Sequence, residues 1–227
     1  MVKVKILRQA LFLTVMLSFS LLKSAKAQDS TLYKEDFSKA AQGALPAGWK
    51  TNGTGKVVKI DGVDGNWFQL KTGDSYKFSK ILLFPARFTM EFDIVAQADP
   101  VTTLDPVVFG FSGNNSVTGY IQDAYNDGNI WTVSLLYFNN KEVNIASSST
   151  KVDSDTDFDL TSFSNRPMHV VINADGNHVI VSLDGTKVTD TNLFKDNRAK
   201  FFFISAPLRE SSKGTVAIGN IVVKKKA

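Results

Sequence analysis

The stretch that decides the fold reads Met168-His-Val-Val-Ile-Asn-Ala-Asp175-Gly176-Asn-His178-Val-Ile-Val-Ser-Leu-Asp184-Gly185-Thr-Lys-Val188. Asp-Gly twice follows a run rich in β-branched residues. A type I′ turn needs positive φ at both central residues, and its twist suits the flanking strands, so Asp-Gly between such runs predicts a β-hairpin. With Asp175-Gly176 as the turn, His178 faces Asn173 and His169 faces Ser182.

Alternation extends outward from this hairpin. Phe88, Met90, Phe92 and Ile94 fall on one face of a strand, with Thr89, Glu91 and Asp93 on the other, the pattern of a sheet with one buried side. Similar runs occupy 57–60, 67–70, 107–111, 131–138, 200–205 and 216–223. Turn-formers separate them, among them Asp61-Gly62, Asp64-Gly65, Asn126-Asp127-Gly128 and Lys213-Gly214. About a dozen short strands at this spacing predict an all-β, two-sheet antiparallel jelly-roll sandwich.

The N-terminus reads differently. Lys3, Lys5 and Arg8 precede an apolar stretch over 10–22, and Ala25-Lys26-Ala27 has the small-x-small form of a signal-peptidase site. We expect residues 1–27 to be a Sec-type signal peptide and 28–227 a single domain, periplasmic or secreted. The apolar stretch falls short of the roughly 20 residues that span a bilayer, and no later segment of the mature chain qualifies.

Five basic residues and no acidic ones lie in 1–27, so 26 basic and 22 acidic residues become 21 and 22 in the mature chain, a net charge of 21 − 22 = −1. Nucleic acid is therefore not an expected partner. With no cysteine the chain has no disulfides, thiol catalysis or Cys-ligated zinc, and its stability must come from its core.

Pro167-Met-His-Val-Val-Ile, Val179-Ile-Val-Ser-Leu-Asp-Gly-Thr-Lys-Val, Phe201-Phe-Phe-Ile-Ser and Val216-Ala-Ile-Gly-Asn-Ile-Val-Val resemble the closing strands of concanavalin A-like lectin/glucanase domains, laminin G-like modules included. Glu35-Asp-Phe followed by Leu45-Pro-Ala-Gly-Trp49 is similar to their opening in exported bacterial proteins. The resemblance implies a concanavalin A-like fold that serves sugar binding, glycoside hydrolysis or protein binding, and fold alone does not choose among these.

Laminarinase-like members carry Glu-x-Asp-x-x-Glu or Glu-x-Asp-x-Glu on one strand. Here Glu91 and Asp93 fill the first two positions, while Val95 and Ala96 stand where the acid/base would be. A retaining glycosidase needs two carboxyl groups about 5 to 5.5 Å apart, one to attack and one to donate a proton, and an apolar side chain does neither. The two histidines, about four ladder steps apart in the expected register or roughly 13 Å, are too distant for one metal ion. No Gly-x-Ser-x-Gly elbow is present, since Gly110-Phe-Ser112-Gly113 lacks the spacing.

Asp153, Asp155, Asp157 and Asp159 alternate, and an extended backbone would line up their carboxylates. Calcium there would relieve their repulsion, although aspartates in water need no ion. No other cofactor is expected. The best ligand candidate is the segment from Tyr120 to Trp131, where Tyr120, Tyr125 and Trp131 offer rings to the apolar faces of sugars and Asn126 and Asp127 offer hydrogen bonds. Core packing is the competing role for Trp131. The sequence thus points to an exported, non-catalytic module recognising carbohydrate. The alternatives are a laminin G-like module binding a cell-envelope or extracellular protein, and a divergent glycoside hydrolase.

Overall fold

The computed structural model describes residues 29–79, 84–126, 128–139, 142–195, 200–207 and 214–227, and for Asn126 the backbone alone. The expected signal peptide and Asp127 lie outside the described residues.

Strands are numbered in chain order. One sheet runs β13 (Thr186–Asn192), β12 (His178–Leu183), β11 (Pro167–Asp175), β6 (Arg87–Gln97), β15 (Thr215–Lys225), β4 (Val63–Leu70) and β3 (Gly55–Ile60), with β1 (Ser30–Glu35) on the far half of β15 as its eighth strand. The other runs β10 (Asp153–Asp157), β9 (Glu142–Ser147), β8 (Asn129–Leu135), β7 (Val107–Ser112), β14 (Phe201–Ser205), β5 (Ser75–Phe78) and β2 (Trp49–Thr51). Every pairing between these strands is antiparallel. The chain switches sheets between β1 and β2, β2 and β3, β4 and β5, β5 and β6, β6 and β7, β10 and β11, β13 and β14, and β14 and β15. This is the expected two-sheet jelly roll.

Alternation explains the core. Phe88, Met90, Phe92 and Ile94 of β6 point inward and are buried, as do Phe109 and Phe111 of β7 and Phe202 of β14. The Phe92 ring meets Phe109 edge-on at 5.3 Å and Phe202 at 5.4 Å. Such pairs each contribute about 0.5–1.5 kcal/mol beyond their area burial, which suits a sandwich without sulphur bridges.

Both hairpins of the opening stretch form, with one change of register. The second turn is as expected: Asp184 and Gly185 both take positive φ, 47° and 81°. In the first, Asp175 pairs with His178, so the two loop residues are Gly176 and Asn177. Gly176 takes φ 62° while Asn177 is not left-handed, as a glycine-first type II′ turn requires. Consequently Asn173 faces Ile180 and Val171 faces Ser182, a shift of two residues that keeps every side chain on its expected face.

The outer face of the eight-stranded sheet carries its own small apolar cluster of Ile60, Trp67, Val95 and Ala217. The Trp67 ring lies over Gly219, where an added Cβ would come within 2.8 Å of the ring.

Candidate functional site

The outer face of the seven-stranded sheet divides in two. Over β5, β14 and β7 it is roofed by the loop from Gly113 to Gly128, closed at its base by Gly113 N–H donating to the Gly128 carbonyl at 2.9 Å. Val108 and Phe203 of the sheet bury against Tyr120 and Ala124 of that loop. Inside the loop Asp123 acts as the hub: its Oδ2 accepts from Thr118 N–H at 2.9 Å and Gly119 N–H at 3.0 Å, and its own N–H donates to the Gly119 carbonyl.

Over β8, β9 and β10 the face is open and forms a groove of about 360 Å³. Its floor is small and polar, made of Thr132 and Ser134 of β8 with Asn144 and Ala146 of β9. One wall is the roofing loop, with Tyr125 at its lip. The other is the β9–β10 connection, with Lys151, and the start of β10 at Asp153. Lys151 takes φ 62° and its N–H donates to the Ser147 carbonyl at 2.9 Å, which holds that turn against the sheet.

The expected ligand aromatics part company here. Tyr125 is 51% exposed, whereas Tyr120 is 3% and Trp131 0% exposed. Tyr120 donates its hydroxyl to the Pro106 carbonyl at 3.0 Å, and burial, then the Tyr125 hydroxyl, pushes its ionisation above the ordinary tyrosine range. Trp131 points inward against Phe111 and Phe194, at 5.2 and 5.8 Å, so it fills the core instead of offering a ring to a ligand. Strand parity decides this: Thr132 and Ser134 take the outer face, leaving 131, 133 and 135 inside. The groove residues Thr132, Ser134 and Asn144 escape sequence reading, because the floor arises only when β8 and β9 pair.

The acidic row is a strand, β10, whose register sets Asp153 opposite Ala146 and Asp155 opposite Asn144. The Asn144 amide nitrogen donates to both, at 3.0 Å and 2.9 Å. A cation needs converging oxygens at 2.3–2.6 Å, and here an N–H donor sits between the two carboxylates, so this arrangement does not fit calcium. Asp159 does a different job: it accepts from the Thr161 and Ser162 hydroxyls and Thr161 N–H, capping the turn Leu160–Phe163, and those hydrogen bonds lower its carboxyl to about 2. Among the described residues no group of three or more acids or histidines is placed to hold a metal.

Glu91 and Asp93 lie on the outer face of the opposite sheet. Lys224 pairs with Glu91 at 3.1 Å, and Asp93 contacts His169 Nδ1 at 2.6 Å while accepting from the Asn220 amide at 2.7 Å. Val95 is buried in the Trp67 cluster and Ala96 faces the core. His178 pairs instead with Asp190 at 2.9 Å, so the histidines serve separate contacts. A larger cavity, about 480 Å³, lies where β3 and β4 meet the start of β15. Lys56, Gln69, Lys71 and Thr215 line it, and none of its described lining residues is aromatic.

No family model matches the chain, and no curated protein matches it by sequence. Solved structures do match its shape. The VIP36 exoplasmic/lumenal domain in its Ca2+/Man3GlcNAc-bound form is similar at 11% identity and TM-score 0.61, with 81% of this chain covered and 86% of that one. The Emp47p carbohydrate recognition domain is similar at 13% identity and TM-score 0.60, covering 90% and 99%. Arcelin-5, a lectin-like defense protein from Phaseolus vulgaris, follows at 14% identity and TM-score 0.59, covering 88% and 99%. The fold is the concanavalin A-like jelly roll of these lectin-type domains.

Proposed function

We propose that the protein is an exported, non-catalytic module that binds carbohydrate in the groove on the outer face of the seven-stranded sheet. The observation that carries this reading is Tyr125, an exposed ring at the lip of a polar channel floored by Thr132, Ser134 and Asn144. A pyranose presents an apolar face that stacks on such a ring and a rim of hydroxyls that hydrogen-bond to such a floor. Shape likeness to VIP36 solved with Man3GlcNAc and to the Emp47p carbohydrate recognition domain supports the same class of ligand. The mechanism is reversible stacking and hydrogen bonding, with no covalent step.

An array of oligosaccharides probed with the mature chain tests the reading. Retention of a defined glycan by the native chain and its weakening in Tyr125→Ala is the expected result. Silence across the panel would point instead to a protein partner of the laminin G kind.

A further inference from the structure

Beneath the roofing loop, on the outer face of β5, Lys77 is 0% exposed. Across the sheet it faces Lys50 on β2 and Phe203 on β14, whose ring centre lies 5.9 Å from the ammonium and attracts it as a π face, so neither cross-strand neighbour supplies a counter-charge. The loop brings the compensation. Asp123 Oδ1, itself 1% exposed at the side chain, lies 3.1 Å from Lys77 Nζ, and the ammonium donates to the Ser116 carbonyl at 2.6 Å. Among the described residues Oδ1 makes no aligned hydrogen bond, so the ammonium of Lys77 is what meets its charge. The other oxygen of Asp123 is taken by Thr118 and Gly119 N–H.

We propose that Lys77 is the built-in counter-ion that fixes the Gly113–Gly128 loop, so that the wall bearing Tyr125 is set by the chain's own ammonium instead of a bound metal ion. Burying an ammonium and a carboxylate is costly unless each finds the other, and removing one partner strands the remaining charge. A placement of the loop that parts the two leaves Lys77 without its carboxylate and Asp123 without its cation. The pair therefore selects one loop conformation. This concerns the shape of the wall and needs no ligand, so it stands or falls apart from the carbohydrate reading.

Amide hydrogen exchange on the full mature chain tests it, read at Thr118 and Gly119 with β8 and β9 amides as the internal control. Native protection is expected to be unchanged by EDTA. Lys77→Met, which keeps the stem and removes the charge, is expected to speed exchange at both amides by about tenfold with the controls unmoved. Lys77→Met/Asp123→Asn, which leaves no buried charge, is expected to recover most of that protection. Should Lys77→Met not fold, Asp123→Asn, which removes the charge and keeps a side-chain oxygen to accept from Thr118 and Gly119 N–H, is read in its place with the same expected increase. Native-level protection in the variant that is read, or loss of native protection on chelation, overturns the proposal.

Discussion

Tyr120 and Tyr125 meet edge to face, with ring centres 5.8 Å apart and hydroxyls 3.3 Å apart, yet one is buried and the other half in water. The buried ring is anchored to Pro106 and so fixes where the exposed one stands. A pre-set ring spends little conformational entropy on stacking. Tyr125→Ala should weaken saccharide binding between about twofold and tenfold, the equivalent of a stacking contribution of about 0.5–1.5 kcal/mol. Thermal unfolding should change by less than about 0.5 kcal/mol, since the side chain lies outside the core. Titration calorimetry and a melting curve on the same preparation check both halves.

Trp131 should behave in the opposite way. Its ring is fully enclosed by Phe111 and Phe194, so Trp131→Ala should cost about 3–5 kcal/mol of stability in denaturant titration. Variant that remains folded at low temperature should still bind, because the ring lies on the inner face and the groove on the outer.

Alkaline pH should unfold the protein before it titrates the buried phenols. Burial raises the ionisation of Tyr76, Tyr120 and Tyr137 above the ordinary value of 10.0, and these residues are 0%, 3% and 1% exposed. A raised native value means that the unfolded chain releases protons first, so the stability these groups contribute is complete below pH 10 and falls as pH rises through it. Each group then removes about 1.4 kcal/mol per pH unit. Melting temperatures across pH 8 to 11 should drop steeply above 10, with tyrosinate absorbance rising in step with unfolding. A flat melting temperature through pH 11 would contradict this assignment.

Glu91 should matter to neither binding nor chemistry. Its carboxylate lies half-buried on the outer face of the sheet opposite the groove and pairs with Lys224, a contact near the surface worth about 0–1 kcal/mol. Glu91→Gln should shift stability within that range and leave glycan retention intact. The native chain should release no reducing ends from polysaccharide. Release that Glu91→Gln abolishes would restore the hydrolase reading.

The fold was legible because its strongest signals are local. Asp184-Gly185 and the alternation of 88–94 specify a turn and a face without reference to the rest of the chain. The register at Gly176-Asn177 was not, because two adjacent turn geometries fit the same residues, and it is the pairing of Asp175 with His178 that shows which one forms. The acidic row at 153–157 alternates along one face as read, but nothing in its own composition shows that it is an edge strand held through Asn144. The site was half legible. Tyr125 lies in a segment whose composition signals a ligand, whereas Trp131 shares that composition and takes the inner face by strand parity. The groove floor and the Lys77–Asp123 pair join residues distant in the chain, and no local pattern marks such contacts.

The central claim is that a saccharide sits on the outer face of the seven-stranded sheet, and amide chemical-shift mapping during titration with an oligosaccharide retained on the array measures this most directly. Perturbations should concentrate at Tyr125, Thr132, Ser134, Asn144 and Asp153. Perturbations gathered around His169, Val171 and Lys224 on the opposite sheet, with the groove silent, would contradict the account.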